Sequence, residues 1–430
     1  MKIHLRMIGC RLNQAEIDTM ARQFQQQGHE IVSGAEQADQ VIVNTCVVTR
    51  NAAKDSRKLI RELHRANVEA EITATGCYAQ VSPDELVGLP GVVRVVDNTG
   101  KDTLVTQLTG VPVERFDHEP VAREQSHPGA AGRTRAFVKA QDGCDNQCTF
   151  CITTVARGDG RSLSIEAILD EIRYLHRTGF QEVVLTGVHL GSYGHDKGAN
   201  TDLTQLMRAI LSDTDIPRLR LSSLEPWDLS PDFFDLWKDP RVCRHLHLPL
   251  QSGCDATLKR MRRHTNQAEF RRLVQAVRER IPDISITTDV IVGFPGETDD
   301  EFAISAAFIE EMAFSRMHIF RYSKRDGTPA ARMKNQVEEA VKKTRSAHLH
   351  ALAGTMAQQF AERFDGQTRT VLWEQVVGST EAGFINVGYT DNYIRVRGVH
   401  PRVLTNHITP AQMLLYDAAR GQMTAKPLLI

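Results

Sequence analysis

With 430 residues, 41% of them apolar and 24% charged, and a formal charge of −1, the chain has the balance of a multi-domain globular protein and is no polycation. Any contact with nucleic acid must therefore come from local basic patches rather than from overall charge. No apolar run reaches membrane-spanning length and the N-terminus lacks a signal-peptide core, so a cytoplasmic protein without a membrane partner is expected. In a reducing compartment its eight cysteines, at 10, 46, 77, 144, 148, 151, 243 and 254, read as metal ligands or buried thiols rather than disulfides.

Residues 1–110 alternate strand-like runs (Ile3–Ile8, Gln40–Asn44, Ile72–Thr75, Val92–Val96) with helical spacing over Asn13–Gly28 and Thr49–Ala66. That alternation predicts a parallel sheet with helices packed on it, and such sheets collect ligands at the carboxyl ends of their strands. Cys10, Cys46 and Cys77 each follow one of the first three predicted strands. Parallel neighbours would bring them to one rim, where a shared site competes with the plainer reading of three unrelated buried cysteines. Residues 111–133, rich in Pro, Gly and charge, read as a linker.

Next comes Gly143-Cys144-Asp145-Asn146-Gln147-Cys148-Thr149-Phe150-Cys151, three cysteines at C-x3-C-x2-C spacing behind a strand candidate, Ala136–Ala140. Thiolates this close favour zinc, copper(I) or an iron–sulfur cluster. A structural zinc normally closes with four ligands, so a zinc loop would need a distant fourth donor. A cubane held by three cysteines keeps one iron open to another partner.

Residues 134–362 continue with strand candidates Glu182–Thr186, Arg218–Leu221, His245–Leu248, Ile284–Val292 and Arg316–Phe320. Helix candidates Ser164–Thr178, Leu203–Leu211, Gln267–Arg280 and Asp299–Met312 lie between them. Six strand–helix units predict a partial, TIM-like β/α barrel with its chemistry on the loops after the strands. Residues 363–430 change to short β-rich runs, Thr370–Glu374, Ala382–Tyr389 and Tyr393–Val399, which predict a small antiparallel β-barrel.

The C-x3-C-x2-C loop, with an aromatic before its third cysteine, resembles the signature of the radical S-adenosylmethionine enzymes. Together with Gly9-Cys10-Arg11-Leu12-Asn13-Gln14, Asn44-Thr45-Cys46 and Thr75-Gly76-Cys77-Tyr78 it resembles the methylthiotransferase family over nearly the whole chain. Arg11 is most like the branch acting on N6-threonylcarbamoyladenosine in tRNA. The resemblance implies that Cys144, Cys148 and Cys151 hold a 4Fe-4S cluster that cleaves S-adenosyl-L-methionine. It implies that Cys10, Cys46 and Cys77 hold a second one, which carries the sulfur. Candidate contacts to S-adenosylmethionine are the post-strand residues Thr186, Gly187, Ser223, Glu225, Gln251 and Gly293. After Cys151 the chain lacks the proline many relatives have near position 154 but keeps Arg157-Gly158. Cys243 and Cys254 fit neither set.

The resemblance further implies a TRAM-type RNA-binding domain at 363–430. The expected partners are a tRNA anticodon stem-loop and an electron-donor protein such as a flavodoxin. Candidate phosphate contacts are Arg50, Lys54, Arg57, Arg61 and Arg65 on one helical face, Lys259, Arg260, Arg262, Arg263, Arg271 and Arg272 in the barrel, and Arg369, Arg395, Arg397 and Arg402 with Tyr389 and Tyr393 at the end. The expected reaction is methylthiolation of C2 of N6-threonylcarbamoyladenosine beside the anticodon. The alternatives are the same chemistry on N6-isopentenyladenosine or on a ribosomal-protein aspartate, or a non-catalytic zinc-bearing RNA-binding protein.

Overall fold

A computed structural model describes residues 1–113, 134–198 and 201–428. The linker expectation for 111–133 falls almost wholly outside them.

The first unit is a five-stranded sheet of β1 (Lys2–Met7), β2 (Glu30–Ile31), β3 (Gln40–Thr45), β4 (Glu71–Gly76) and β5 (Val92–Val96). All pairings are parallel and the order is β2-β1-β3-β4-β5. The middle strand β3 is buried along its whole length, as expected when helices cover both faces. Helices Arg11–Gln26 and Arg50–Ala66 supply that cover, the second capped by the Thr49 hydroxyl accepting from the Ala52 N–H. The strand order reverses between β1 and β3, and a crevice for ligands opens at their carboxyl ends at such a switch point.

The second unit holds six parallel strands: β6 (Arg135–Lys139), β9 (Glu182–Thr186), β10 (Arg218–Leu221), β11 (His245–His247), β12 (Ser285–Val292) and β13 (Arg316–Arg321). They pair in chain order, with a parallel Ser223–His247 bridge joining the two halves into an open barrel wall. Val138, Val183, Leu185, Leu219, Leu221 and Leu246 lie in its apolar core. Between β6 and β9, two short strands, β7 (Gln141–Asp142) and β8 (Arg161–Ser162), pair antiparallel and clamp the two ends of the cysteine loop.

The third unit is a closed barrel of β14 (Thr368–Thr380), β15 (Gly383–Thr390), β16 (Arg395–His400), β17 (Ile408–Asp417) and β18 (Gln422–Pro427), ordered β14-β15-β16-β18-β17. Trp373 fills its centre, its indole N–H donating to Thr409 Oγ1 at 2.8 Å. The expected α/β class, β/α barrel and terminal β-barrel are all present, but the terminal barrel is not wholly antiparallel as expected, because it closes through a parallel pairing of β16 with β18. The sequence reading lacks β17 and β18, where exposed Leu414 and Leu415 break the inside–outside alternation.

Buried ion pairs join the units. Arg157 donates to Glu16 Oε1 at 2.9 Å, Asn13 Oδ1 at 2.8 Å and Asp142 Oδ1 at 2.8 Å, tying the first helix to the cysteine loop. Burial alone would raise the Glu16 carboxyl, but Lys101 and Arg157 hold it well below the usual range. At the amino ends of the barrel strands, Arg220 bonds Glu182 at 2.7 Å and reaches the Asp391 carbonyl of the terminal barrel at 3.0 Å. Arg369 reaches Asp283 at 3.0 Å.

Glu182 is fully buried and also faces Arg218 at 3.3 Å. Burial raises its pKa, yet Arg220 and Arg218 outweigh that and bring it to about 2. Its stabilisation is therefore complete above the unfolded value of about 4.3 and is lost as pH falls toward the folded value. Glu182→Gln should cost about 3–5 kcal/mol at neutral pH by leaving two buried guanidinium groups short of charge. In denaturant titrations the gap to wild type should close on acidification; a gap independent of pH would refute the assignment.

Candidate functional site: two cysteine triplets at one seam

The barrel triplet sits on a loop whose backbone is tightly determined. Gly143 has φ +76°, and a Cβ there would collide with the Asp159 carbonyl oxygen, so only glycine lets the loop turn out of β7. The Cys144 N–H then donates to the Gly158 carbonyl at 3.0 Å, and the Cys151 N–H to the Cys148 carbonyl at 3.1 Å. Thr149 is pinned from both sides, donating to Met261 at 3.0 Å and accepting from Ala330 at 2.9 Å. Phe150 stands edge-on to Phe294 with centroids 6.5 Å apart.

All three thiols are partly buried. Burial pushes Cys148 up to about 11, opposed by Arg263, whose Nη1 lies 3.7 Å from its sulfur. Burial likewise raises Cys151, opposed by the Thr153 N–H donating to its sulfur at 3.3 Å. Cys144 acts electrostatically on Cys151, and Cys151 on Cys148, so the three sulfurs share one environment.

The amino-terminal triplet occupies the sheet's switch point and its neighbour. Cys10 caps the helix after β1, Cys46 follows β3, and Cys77 opens the helix Cys77–Val81 after β4. Gly9, at φ +123°, lets β1 end against Cys46: a Cβ on Gly9 would lie 2.9 Å from Cys46 Cβ and 3.2 Å from its sulfur. Asn13 ties the two strand ends together, donating to the Ile8 carbonyl at 2.8 Å and the Thr45 carbonyl at 3.2 Å. Burial pushes Cys46 up to about 11, with Cys77 and Cys10 adding to the shift. Cys10 is raised too, first by burial, with the Arg157 charge opposing and Cys77 adding to the shift. The distant cysteines thus converge on one rim.

That rim faces the barrel's mouth. Asn98 lies 3.8 Å from the Cys77 sulfur and donates to the Ala156 carbonyl at 2.6 Å, five residues past Cys151. Ile152 and Ala156 belong to the apolar core of the first unit. Arg325, after β13, is close enough for Cys46 to act on its charge.

Among the described residues no group of three His, Cys, Asp or Glu side chains is placed to hold a single metal ion. A cubane takes its ligands at separate corners, and soft thiol donors in threes suit an iron–sulfur cluster with one open iron. The raised pKa values mean that Cys46 and Cys148 carry protons at neutral pH until a metal displaces them.

The residues expected to contact S-adenosylmethionine all lie at or just past the carboxyl ends of barrel strands, on the cysteine-loop end. Thr186 is buried and its hydroxyl donates to the Val138 carbonyl at 3.3 Å. Gly187 abuts Gln141, whose Oε1 accepts from the His189 N–H at 2.9 Å. Ser223 makes the β10–β11 bridge. Gln251 is held at φ +69° and donates its N–H to the Asp289 carbonyl at 2.8 Å. Gly293, at φ +71°, leaves room for the Lys342 side chain and donates to Glu297 at 2.6 Å. Glu225 is no free acceptor: both its oxygens take hydrogen bonds from buried Arg263, at 3.0 and 2.5 Å.

Arg263 therefore corrects a sequence expectation, because it is buried beside Cys148 rather than turned to solvent for RNA. Tyr389, Tyr393 and Arg369 are likewise engaged at the junction with the barrel, not free as a stacking platform. Cys243 and Cys254 are buried thiols, Cys243 lying 3.9 Å from Glu182. Gln141, Asn98 and the His189–Asp228 pair at 2.6 Å escape sequence reading, because their partners are remote in the chain.

Residues 138–309 match the family described as Radical SAM superfamily, and residues 2–97 match Uncharacterized protein family UPF0004. The chain is 37% identical to threonylcarbamoyladenosine tRNA methylthiotransferase MtaB of Bacillus subtilis, covering 90% of this chain and 88% of that one. It is 38% identical to the protein of the same name from Thermotoga maritima, covering 93% and 92%. A tRNA-2-methylthio-N(6)-dimethylallyladenosine synthase of Acetivibrio thermocellus is 34% identical over 86% and 80%. Its fold is shared with radical S-adenosylmethionine methyltransferase TsrM of Kitasatospora setae, at TM-score 0.57 and 16% identity over 88% of this chain and 79% of that one.

The open β/α barrel and the family matches together define an iron–sulfur enzyme. The chain belongs to the radical S-adenosylmethionine methylthiotransferase family, whose cofactors are S-adenosyl-L-methionine and two 4Fe-4S clusters.

With both triplets as ligands, anaerobically reconstituted protein should carry about eight irons per chain. Gly9→Ala, which drives a methyl group into Cys46, should fall to about four. Undiminished iron in Gly9→Ala would remove Cys46 from the ligand set.

Proposed function

We propose that this enzyme methylthiolates C2 of N6-threonylcarbamoyladenosine beside the anticodon of tRNA, with Cys144, Cys148 and Cys151 holding the cluster that cleaves S-adenosylmethionine and Cys10, Cys46 and Cys77 the second. The observation that carries the reading is the facing of two three-thiol sets across one seam: Asn98 reaches toward Cys77 and bonds the loop beyond Cys151. The threonylcarbamoyladenosine methylthiotransferases of Bacillus subtilis and Thermotoga maritima match over nearly their whole length.

An aromatic C2–H has no acidity that a side chain in water exploits, so the bound clusters and S-adenosylmethionine supply the single-electron and sulfur chemistry. The chain's own residues position and enclose. Arg263, locked by Glu225, sets a positive charge beside Cys148. Gln141 fixes both the start of the cysteine loop, donating to the Gly143 carbonyl at 2.9 Å, and the turn after β9. Thr186, Gly187, Ser223, Gln251 and Gly293 frame the S-adenosylmethionine site, and Glu225 acts through Arg263.

Residues 1–110 form the second-cluster domain, 134–362 the radical core and 363–430 a TRAM-like domain. The anticodon stem-loop lies along exposed Arg50, Lys54, Arg61 and Arg65, and along exposed Lys259, Arg262, Arg272, Arg395 and Arg402, whose cations neutralise phosphates. A cytoplasmic electron donor of the flavodoxin kind completes the system.

Nucleosides from a strain lacking the gene should lose 2-methylthio-N6-threonylcarbamoyladenosine and retain the unthiolated nucleoside by mass spectrometry; an unchanged profile would refute the reading. Cys148→Ala should abolish cleavage of S-adenosylmethionine, whereas Cys46→Ala should cleave it without sulfur transfer.

A further inference from the structure

Three units of the fold meet around Tyr393, and the charges there do not balance. Arg11, the residue after Cys10, donates to the Tyr393 hydroxyl at 3.0 Å and lies 5.8 Å from its ring centroid. Arg135 reaches the same hydroxyl at 3.4 Å, and the Arg220 guanidinium sits 4.8 Å from the ring centroid. Arg135 is paired with Glu374 at 2.6 Å, and Arg218 and Arg220 share Glu182 at 3.3 and 2.7 Å. Arg11 has no carboxylate within ion-pair distance among the described residues, and Arg135 and Arg220 both repel it. Four guanidinium groups thus face two carboxylates away from bulk water. Such an excess is costly unless an anion completes it.

Two further features point the same way. Arg11 is the first residue of the helix Arg11–Gln26, whose first turn has no acidic residue. A cation at a helix's positive end is unfavourable by itself, and the two together attract an anion. Tyr393 has φ +66°, a left-handed backbone that a non-glycine residue adopts only when its surroundings hold it there, and Tyr389 stacks on it at 5.0 Å.

We propose that Arg11, backed by the Arg135–Arg220–Tyr393 cluster, binds the carboxylate of the threonyl side chain of the substrate nucleoside and so selects the threonylcarbamoyl group over an uncharged N6 substituent. The inference rests on the reading that the enzyme acts on threonylcarbamoyladenosine. Its place in the chain supports the choice of anion, since Arg11 directly follows Cys10, a member of the amino-terminal triplet. A guanidinium presents paired N–H donors that match a planar carboxylate, and the Tyr393 hydroxyl is a weak, displaceable acceptor in its place.

The test compares two fluorescent anticodon stem-loops, one with the free threonyl carboxylate and one with its methyl ester. Binding to reconstituted holoenzyme is measured without reductant, so no turnover enters. Wild type should bind the acid about ten- to a hundredfold tighter than the ester, the scale of one charge-assisted hydrogen-bonded pair. Arg11→Gln should lose that preference by weakening the acid alone, and Arg11→Lys, which keeps the charge, should retain part of it. Equal wild-type affinity for acid and ester would overturn the proposal. So would an Arg11→Gln protein that weakens both ligands alike, because the anion held would then be a backbone phosphate common to them. Methylthiolation of the acid is scored separately: acid preference with no methylthio product would sink the proposed reaction, while methylthiolation without acid preference would sink only the role of Arg11.

Discussion

The arrangement depends on one buried guanidinium. Arg157 stands six residues beyond Cys151 on the barrel side and bonds Glu16 and Asn13 on the helix that begins just after Cys10. Asn13 in turn holds the ends of β1 and β3, the strands that present Cys10 and Cys46. One side chain therefore links the backbone of one thiol triplet to the backbone of the other. A buried ion network of this kind adds little net stability against an apolar alternative, but removing one member leaves charge stranded. Its value lies in register: an apolar seam would tolerate sliding, whereas Arg157 has one satisfied geometry with Glu16, Asp142 and Asn13.

The chemistry follows from that register. Neither triplet is a closed site, and each lies where its fold gathers ligands, at the switch point of a parallel sheet or at the carboxyl ends of barrel strands. The two folds are opposed, carboxyl rim to carboxyl mouth, and Asn98 spans them from the Cys77 sulfur to the Ala156 carbonyl. The terminal β-barrel contributes from the other end, through Tyr393 and the backbone carbonyls of Thr390 and Asp391 that receive Arg220.

Much of this was legible in the sequence, for definable reasons. Strands buried on both faces, such as Gln40–Thr45 and Glu182–Thr186, read as continuous apolar runs, and the capping box of Thr298 and Glu301 marks a helix start plainly. The cysteines announced themselves by spacing or by following strands. What the sequence hid was made by long-range pairing. Arg263 lies in a basic run that looks solvent-facing, and only the approach of Glu225, 38 residues away, shows it to be a buried partner of Cys148. Tyr393 looks like an RNA-stacking residue until Arg11, 382 residues distant, is found bonded to it. β17 was missed because Leu414 and Leu415 are exposed and its pairing with β18 is irregular between Met413 and Tyr416.

The two thiol sets face each other across one seam, spanned by Asn98. Electron paramagnetic resonance of the doubly reduced holoenzyme tests this most directly, because two paramagnetic clusters that face each other across a seam couple magnetically. The predicted spectrum shows dipolar broadening that disappears when Cys77→Ala removes the second cluster. A wild-type spectrum that is the simple sum of two isolated clusters would contradict the account.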